Sequence, residues 1–262
     1  MYAFEFVKPK TLEEALAALA IEEAQALGGG QTLLPTLRQR LAQPGTLVAL
    51  SGIAAIKGLA MKGAELAIGG GTTHATVARE AKAHYPALAS LAARIGDPHV
   101  RNRGTIGGSL ANNDPSACYP AGALASGATI VTSSREIAAD DFFEGMFATA
   151  LEPGEIITEV RFPVPEKAAY AKFIQPASRF PLVAVFVARF ADGVRVTVTG
   201  ASESGVFRWT EAEAALSRGF SPGAVKGMQP PAEGLIGDLH GTPEYRAHLA
   251  RVLTGRAVAA AA

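Results

Sequence analysis

The sequence has almost no cysteine, no excess of either charge and no long apolar run. Cys118 is the only cysteine among 262 residues. The chain alone therefore cannot form a disulfide, an iron–sulfur cluster or a thiolate zinc site. Basic and acidic residues number 24 each, which argues against a nucleic-acid partner, since such partners usually require a basic stripe. The longest apolar runs, such as residues 182–188, are far shorter than the roughly 18 residues of a membrane span.

The sequence also lacks the motifs of several other functional classes. The first ten residues, MYAFEFVKPK, do not have the basic start and apolar stretch of a signal peptide, so we expect a soluble, cytoplasmic protein with no integral membrane segment. The five histidines show neither HxxxH nor HxH spacing, and no GxSxG sequence occurs. We therefore predict no metal site and no hydrolase nucleophile.

The order of helical and strand patterns predicts an α+β fold. Thr11 and Glu14 have the spacing of a helix capping box, and short strands that lead through glycines into helices recur before residue 165. After residue 165 the pattern changes to long strands, with an Asp192-Gly193 hairpin signal, followed by two helices. We predict three domains, with the boundaries 1–57, 58–165 and 166–262.

Two glycine-rich turns are candidate anion sites. Residues 28–32 read GGGQT and residues 105–109 read TIGGS, and each precedes a helical pattern. Such turns can present free backbone N–H groups near the positive end of a helix dipole, where a phosphate binds without a lysine. Glycine suits this purpose because a Cβ would hold the anion away from the backbone.

The same turns also have simpler explanations. Turns from a strand to a helix often contain glycine for conformational reasons alone. Residues 28–33, GGGQTL, lack the third glycine of the dinucleotide-binding GxGxxG motif, and no GxxxxGK[ST] sequence exists in the chain. Neither a Rossmann site nor a P-loop is therefore indicated.

Four segments together resemble the FAD-binding medium subunit of the molybdenum hydroxylases, the carbon monoxide dehydrogenase and xanthine dehydrogenase family. They are LGGGQTLLP (27–35), IGDPHVRNRGTIGGSLANNDPSA (95–117), GEIITEVRFPVP (154–165) and YAKF (170–173). The resemblance extends over nearly the whole chain. It implies two α/β FAD-binding subdomains, which match the first two predicted domains, and a C-terminal domain of antiparallel strands with helices.

The resemblance also implies a set of cofactor-binding residues. In this family two glycine turns hold the diphosphate of FAD and nearby parts of the cofactor, a hydrophobic residue packs near the flavin, and later segments add further contacts. Three of the matching positions have alternative explanations: Ile95 as a core residue, Glu155 as a turn residue and Lys172 as a surface charge of a strand. The matching residues are Gly28, Gly29, Gly30, Gln31, Thr32, Leu33, Ile95, Thr105, Ile106, Gly107, Gly108, Ser109, Glu155 and Lys172.

Cys118 is the clear departure from the family pattern, because relatives usually have an acidic residue at this place. A carboxylate could accept hydrogen bonds from FAD hydroxyls, whereas a thiol is a weak acceptor. Three roles are open for Cys118: a small buried residue packed on the cofactor loop, a weakened FAD contact, or a covalent attachment point for the flavin.

The implied function is electron transfer in an oxidoreductase complex. In the resembled enzymes a large molybdopterin subunit oxidises the substrate, and two [2Fe–2S] clusters of a small subunit pass electrons to the FAD and on to an external acceptor. The resemblance thus implies FAD as the only cofactor of this chain, two partner subunits and a dimer of heterotrimers, with no catalytic side chain here. Two alternatives are a stand-alone FAD-dependent reductase or oxidase and an assembly module without flavin.

Overall fold

The computed structural model describes residues 1–261 and shows an α+β protein with three sheets and a short two-stranded ribbon. The strands are β1 (Glu5–Val7), β2 (Ala24–Leu27), β3 (Thr46–Ala49), β4 (Leu59–Lys62), β5 (Glu65–Gly69), β6 (Thr129–Thr132), β7 (Glu136–Ala138), β8 (Phe143–Gly145), β9 (Ala148–Thr149), β10 (Ile157–Pro163), β11 (Lys167–Ile174), β12 (Pro181–Phe190), β13 (Gly193–Thr199) and β14 (Phe207–Arg208). The helices are α1 (Leu12–Leu19), α2 (Leu33–Arg38), α3 (His74–Glu80), α4 (Pro86–Ala93), α5 (Pro98–Arg101), α6 (Ile106–Asn112), α7 (Tyr119–Ser126), α8 (Ala139–Phe142), α9 (Thr210–Arg218) and α10 (Pro243–Ala261).

The first sheet is parallel, with the strand order β1-β3-β2. Helix α1 begins where the sequence predicts, because the Thr11 hydroxyl accepts a hydrogen bond from the Glu14 amide at 3.2 Å. The Glu14 carboxylate accepts a bond from the Lys10 amide at 2.7 Å. The return bond of the capping box therefore reaches the residue before the N-cap, and the predicted helix start is confirmed.

The second sheet is antiparallel, with the order β4-β5-β10-β6-β7. Its central strand, β10, is the last of the five in the chain, so the sheet is complete only after residue 163. Apolar residues of α3, α4, α6 and α7 form one continuous core with side chains of this sheet. Helix α3 follows β5 through three glycines and is capped by the Thr73 hydroxyl, which accepts a bond from the Thr76 amide.

The third sheet has the order β11-β12-β13-β14, and α9 and α10 pack against it in a second core. The predicted hairpin is confirmed, because Phe190 of β12 pairs directly with Gly193 of β13 across the two residues Ala191 and Asp192. Within residues 1–261, no helix has the length and hydropathy needed to cross a bilayer.

Strand β13 also holds the segment that leads into α7. The Thr199 hydroxyl lies within hydrogen-bonding distance of the carbonyls of Pro115 (3.0 Å) and Ala117 (2.8 Å), and the Thr197 hydroxyl donates to the carbonyl of Ala121 at 2.8 Å. Both threonine side chains are fully buried. The third sheet therefore positions the loop and helix start that contain Cys118.

The predicted domain boundaries fall between sheets. Residue 57 follows a 3-10 turn at Ala54–Ile56 and precedes β4, and residue 165 lies between β10 and β11. Residue 262, the last of the predicted C-terminal domain, lies outside the described residues. The division into 1–57, 58–165 and 166–262 stays a proposal.

Replacing Thr199 with valine tests the role of β13. The change keeps the side-chain shape but leaves the carbonyl of Ala117 without its hydroxyl partner, whereas the carbonyl of Pro115 still accepts a bond from the Gly200 amide. We expect the free energy of unfolding to fall by roughly 1–3 kcal/mol, the usual cost of an unsatisfied buried polar group. Chemical denaturation measures this loss.

Thr129→Val is the matched control, since Thr129 is a half-buried strand residue whose hydroxyl makes no hydrogen bond within residues 1–261. Equal stability changes in the two variants would contradict an anchoring role for Thr199.

Candidate functional site

A cleft of about 1000 Å³ contains most of the predicted site residues. This volume is at the upper end of the roughly 300–1,000 Å³ typical of ligand pockets. Both glycine turns lie on its wall, together with Ile95, which follows α4, Cys118, which precedes α7, and Lys172 of β11. The predicted site residues that line the cleft are Gly28, Gly29, Gly30, Gln31, Thr32, Leu33, Ile95, Thr105, Gly107, Gly108, Ser109, Cys118, Glu155 and Lys172.

Ile106 is the one predicted residue that does not line the cleft. Its side chain is fully buried in the core of the second sheet. It anchors the start of α6 to that core, so any contact with a ligand in the cleft would come from the residues next to it in the chain.

The two glycine turns are packed directly against each other. A Cβ on Gly29 would lie 2.1 Å from the carbonyl oxygen of Arg103 and 2.5 Å from the Cα of Gly104. A Cβ on Gly28 would lie 3.0 Å from the Thr105 hydroxyl. Only glycine permits this approach at position 29, because both nearest atoms belong to the backbone.

The first turn provides unpaired backbone donors. Within residues 1–261 the amides of Gly29, Gly30, Gln31 and Thr32 have no hydrogen-bond acceptor, although all four residues line the cleft. Gly30 has φ of +71°, in the region that favours glycine. Consecutive free amides next to a helix start are the arrangement that binds phosphate oxygens.

The second turn differs, since the protein itself uses most of its amides. The amide of Ile106 donates to the carbonyl of Thr72 at 3.1 Å, that of Gly107 to the carbonyl of Gly70 at 2.8 Å, and that of Gly108 to the Thr105 hydroxyl at 3.2 Å. The expectation of free amides is therefore wrong for these three positions. Their contact with a cofactor stays a prediction.

The two glycines of the second turn have different roles: Gly107 allows two backbone segments to touch, and Gly108 leaves space in the cleft. A Cβ on Gly107 would lie 2.7 Å from the carbonyl oxygen of Gly70, so the backbones touch there. Gly108 is exposed in the cleft, where a Cβ would have only the Thr105 hydroxyl as a near neighbour. A larger side chain at this position would extend into space that a ligand could occupy.

Cys118 and Lys172 face each other at the wall of the cleft. The Lys172 ammonium donates to the carbonyl of Arg94 at 2.8 Å and lies 3.5 Å from the Cys118 sulfur. Burial lowers the pKa of Lys172 below its usual value, and the neighbouring thiol opposes this effect. Both side chains are almost inaccessible, at 7% and 5% exposure. The sequence contains no local signal for this pair, because 54 residues separate its members.

Glu155 lines the cleft with its carboxylate already engaged. Burial opposes its ionisation, but hydrogen bonds from Arg135, Thr132, Ser134 and the Glu152 amide lower its pKa to about 2. The side chain therefore holds the 132–135 turn beside the cleft as a permanent anion.

His74 is a cleft residue that sequence reasoning missed as a site residue. Its side chain is 4% exposed, and its pKa falls to about 4 because of burial and the charge of Arg101. The ring is therefore neutral near pH 7, and its Nδ1 atom has no hydrogen-bond partner. Its backbone amide donates to the carbonyl of Gly104, so His74 also supports the second turn.

The residues present fit FAD. The first turn offers unpaired amides for a diphosphate, and the bare backbones of Gly28 and Gly108 leave room on either side of the Thr105 hydroxyl. Leu33 and Ile95 add apolar walls to the same cleft. An extended cofactor with an anionic centre and an apolar ring matches this lining.

Comparison with known proteins also indicates an FAD-binding protein. Residues 2–165 match the family model described as the FAD binding domain in molybdopterin dehydrogenase. The chain is 34% identical to the nicotine 6-hydroxylase medium subunit of Paenarthrobacter nicotinovorans, with 98% of this chain and 96% of that protein covered. It is 32% identical to the carbon monoxide dehydrogenase medium chain of Afipia carboxidovorans, with the same coverage.

A solved structure agrees over the full length. The crystal structure of quinoline 2-oxidoreductase from Pseudomonas putida 86 includes a chain that matches with a TM-score of 0.89 and 28% identity. The match covers 99% of this chain and 97% of that one. The likeness thus includes the third sheet and α10, which lie beyond the region of the family model.

Replacing Gly108 with valine tests the placement of the cofactor. The new side chain would extend into the cleft beside Thr105, and we expect the purified protein to lose its FAD because the space is filled. Flavin absorbance per chain measures the effect. Gly255→Val in α10 is the control, since a Cβ there meets no atom within 4 Å. Unchanged flavin content in Gly108→Val would refute this placement.

Replacing Cys118 with aspartate tests the departure from the family pattern. The new carboxylate would lie beside the Lys172 ammonium and form a buried ion pair at the cleft wall. We expect FAD affinity equal to or higher than that of the wild type, measured by titrating the flavin-free protein. Cys118→Ser is the isosteric control without charge. A marked loss of affinity in the aspartate variant alone would show that the thiol itself is required.

Proposed function

The chain belongs to the family of FAD binding domains in molybdopterin dehydrogenases, and we propose that it transfers electrons within a multi-subunit molybdenum hydroxylase. In this role it accepts electrons from the [2Fe–2S] clusters of a partner subunit and delivers them to an external acceptor. The chain spans 96% of the length of the medium subunits compared above.

The observation that carries the proposal is the contact between the two glycine turns. This contact brings the free amides of residues 29–32 and the Thr105 hydroxyl to one wall of the cleft. In our proposal the amides bind the FAD diphosphate, and Thr105 to Ser109 lie against the neighbouring part of the cofactor on the same wall. When bound, FAD supplies the redox chemistry by taking up and releasing electrons.

The side chains of the cleft then position the cofactor and shield it from water. Leu33 and Ile95 provide apolar surface, and Lys172 provides a buried cation that the carbonyl of Arg94 holds in place. The Glu155 carboxylate keeps the neighbouring turn rigid because it accepts hydrogen bonds from four donor groups. In this mechanism no side chain of the chain acts as an acid, a base or a nucleophile.

The single cysteine bears on which partner subunits the chain requires. Cys118 is buried beside Lys172, and no group of three metal-ligating side chains exists within residues 1–261. The clusters that deliver electrons must therefore belong to another chain. We propose a large molybdopterin subunit and a small iron–sulfur subunit, assembled with this chain as a dimer of heterotrimers in the cytoplasm.

Purification of the affinity-tagged chain from its native cells tests the proposal. We expect a flavin spectrum, together with two further subunits whose preparation contains molybdenum and iron. Gly108→Val is the informative variant, because it should lose the flavin while keeping both subunits and their metals. A flavin-free wild-type chain would indicate an assembly module. A flavin-containing monomer that reduces or oxidises substrates by itself would indicate a stand-alone enzyme.

A further inference from the structure

The turn between β8 and β9 exposes two large apolar side chains side by side. Met146 is 47% exposed and Phe147 is 57% exposed, and together they form what we call the apolar tip. Contiguous exposed apolar surface often marks a site of protein–protein contact. Neither residue lines the cofactor cleft.

The apolar tip is held in a strained conformation. Phe147 has φ of +56°, a region that bulky side chains rarely adopt. Asn113 maintains it, because its side-chain amide donates to the carbonyls of Gly145 (2.7 Å) and Ala148 (2.8 Å), and its own carbonyl accepts from the Phe147 amide at 3.1 Å. Such strain persists where the surrounding structure imposes it, often at functional positions.

The same asparagine connects the tip to the cofactor cleft. Asn113 is the left-handed C-cap of α6, and the N-cap of this helix is Thr105 on the cleft wall. A helix of this length spans roughly 10 Å. The tip is therefore presented rigidly and close to the electron-transfer site.

Three acidic residues lie near the apolar tip, in the chain or in the neighbouring turn. Asp141 and Glu144 precede it in the chain, and the exposed Glu203 belongs to the turn whose Gly205 lies beside the carbonyl of Gly145. None of these three carboxylates forms an ion pair with any residue from 1 to 261. A symmetric contact between two copies of the tip would place these like charges against each other, which disfavours self-association.

We propose that the apolar tip inserts into an apolar recess, edged by lysine or arginine, on a partner subunit of the complex. The acidic surroundings complement such an edge, and the fixed backbone lowers the ordering cost of docking. This inference rests on the proposed function, since it requires a complex in which the chain is one subunit.

The variants Phe147→Gly and Met146→Ser test the docking role. Glycine removes the apolar side chain and also relieves the positive φ, so the isolated chain should have an equal or higher Tm. The amount of partner subunits that co-purifies with the tagged chain should nevertheless fall roughly tenfold or more, as for the loss of an interface anchor. If Phe147 had a purely structural role, its replacement would not reduce the recovery of partner subunits while leaving the Tm equal or higher. Flavin absorbance per chain should stay unchanged.

Two control variants separate docking from general effects. Glu23→Gly relieves a similar φ of +57° in the connection between α1 and β2, and Leu239→Ser removes a side chain that is 90% exposed elsewhere. Both should keep wild-type amounts of the partner subunits.

The outcomes distinguish this inference from the proposed function. If the wild-type chain recovers molybdenum- and iron-containing subunits and Phe147→Gly recovers them equally well, only the docking inference is overturned. If the wild type recovers neither subunit, the proposed function fails and the inference fails with it. Self-association of the purified chain that Phe147→Gly abolishes, measured by sedimentation, would overturn the inference in favour of a second copy as the occupant.

Discussion

The backbone contact between the two glycine turns is the constraint on which the site depends. The Cα of Gly29 lies so close to Arg103 and Gly104 that no side chain can be placed between them. The first turn follows β2 of the first sheet, whereas the second lies at the start of α6, more than 70 residues later. Only their packing therefore brings them to one cleft. The free amides of residues 29–32 and the Thr105 hydroxyl then face a common ligand.

The second turn can support this contact because its amides are bonded to the protein. Bonds from Ile106 and Gly107 to the loop of residues 70–72 fix its backbone, and His74 adds a bond to Gly104. The cost is that the second turn has fewer free donors than the first. The two turns thus have different roles: the first offers hydrogen-bond donors, and the second offers a rigid surface with little side-chain volume.

The third sheet contributes to the site from outside the region that matches the FAD-binding family model. Strand β13 anchors the segment before α7 through Thr199 and the first turn of α7 through Thr197, and β11 supplies Lys172 to the cleft wall. The Lys172–Cys118 contact therefore joins β11 of the third sheet to the start of α7. On the other side of α6, Asn113 fixes the exposed turn of Met146 and Phe147. A short helix thus lies between the cofactor cleft and a surface suited to a partner.

Local sequence determined what depends on a few neighbouring residues. It predicted the Thr11 helix cap and the Asp192-Gly193 hairpin, because both signals are read over a few residues. Four of its segments together resembled the FAD-binding family, and the family model confirms this resemblance. Tertiary structure alone decided which amides of the two turns are free, that Ile106 points into the core, and that Cys118 meets Lys172. These features depend on hydrogen bonds and packing between residues far apart in the chain, and no local pattern encodes such contacts.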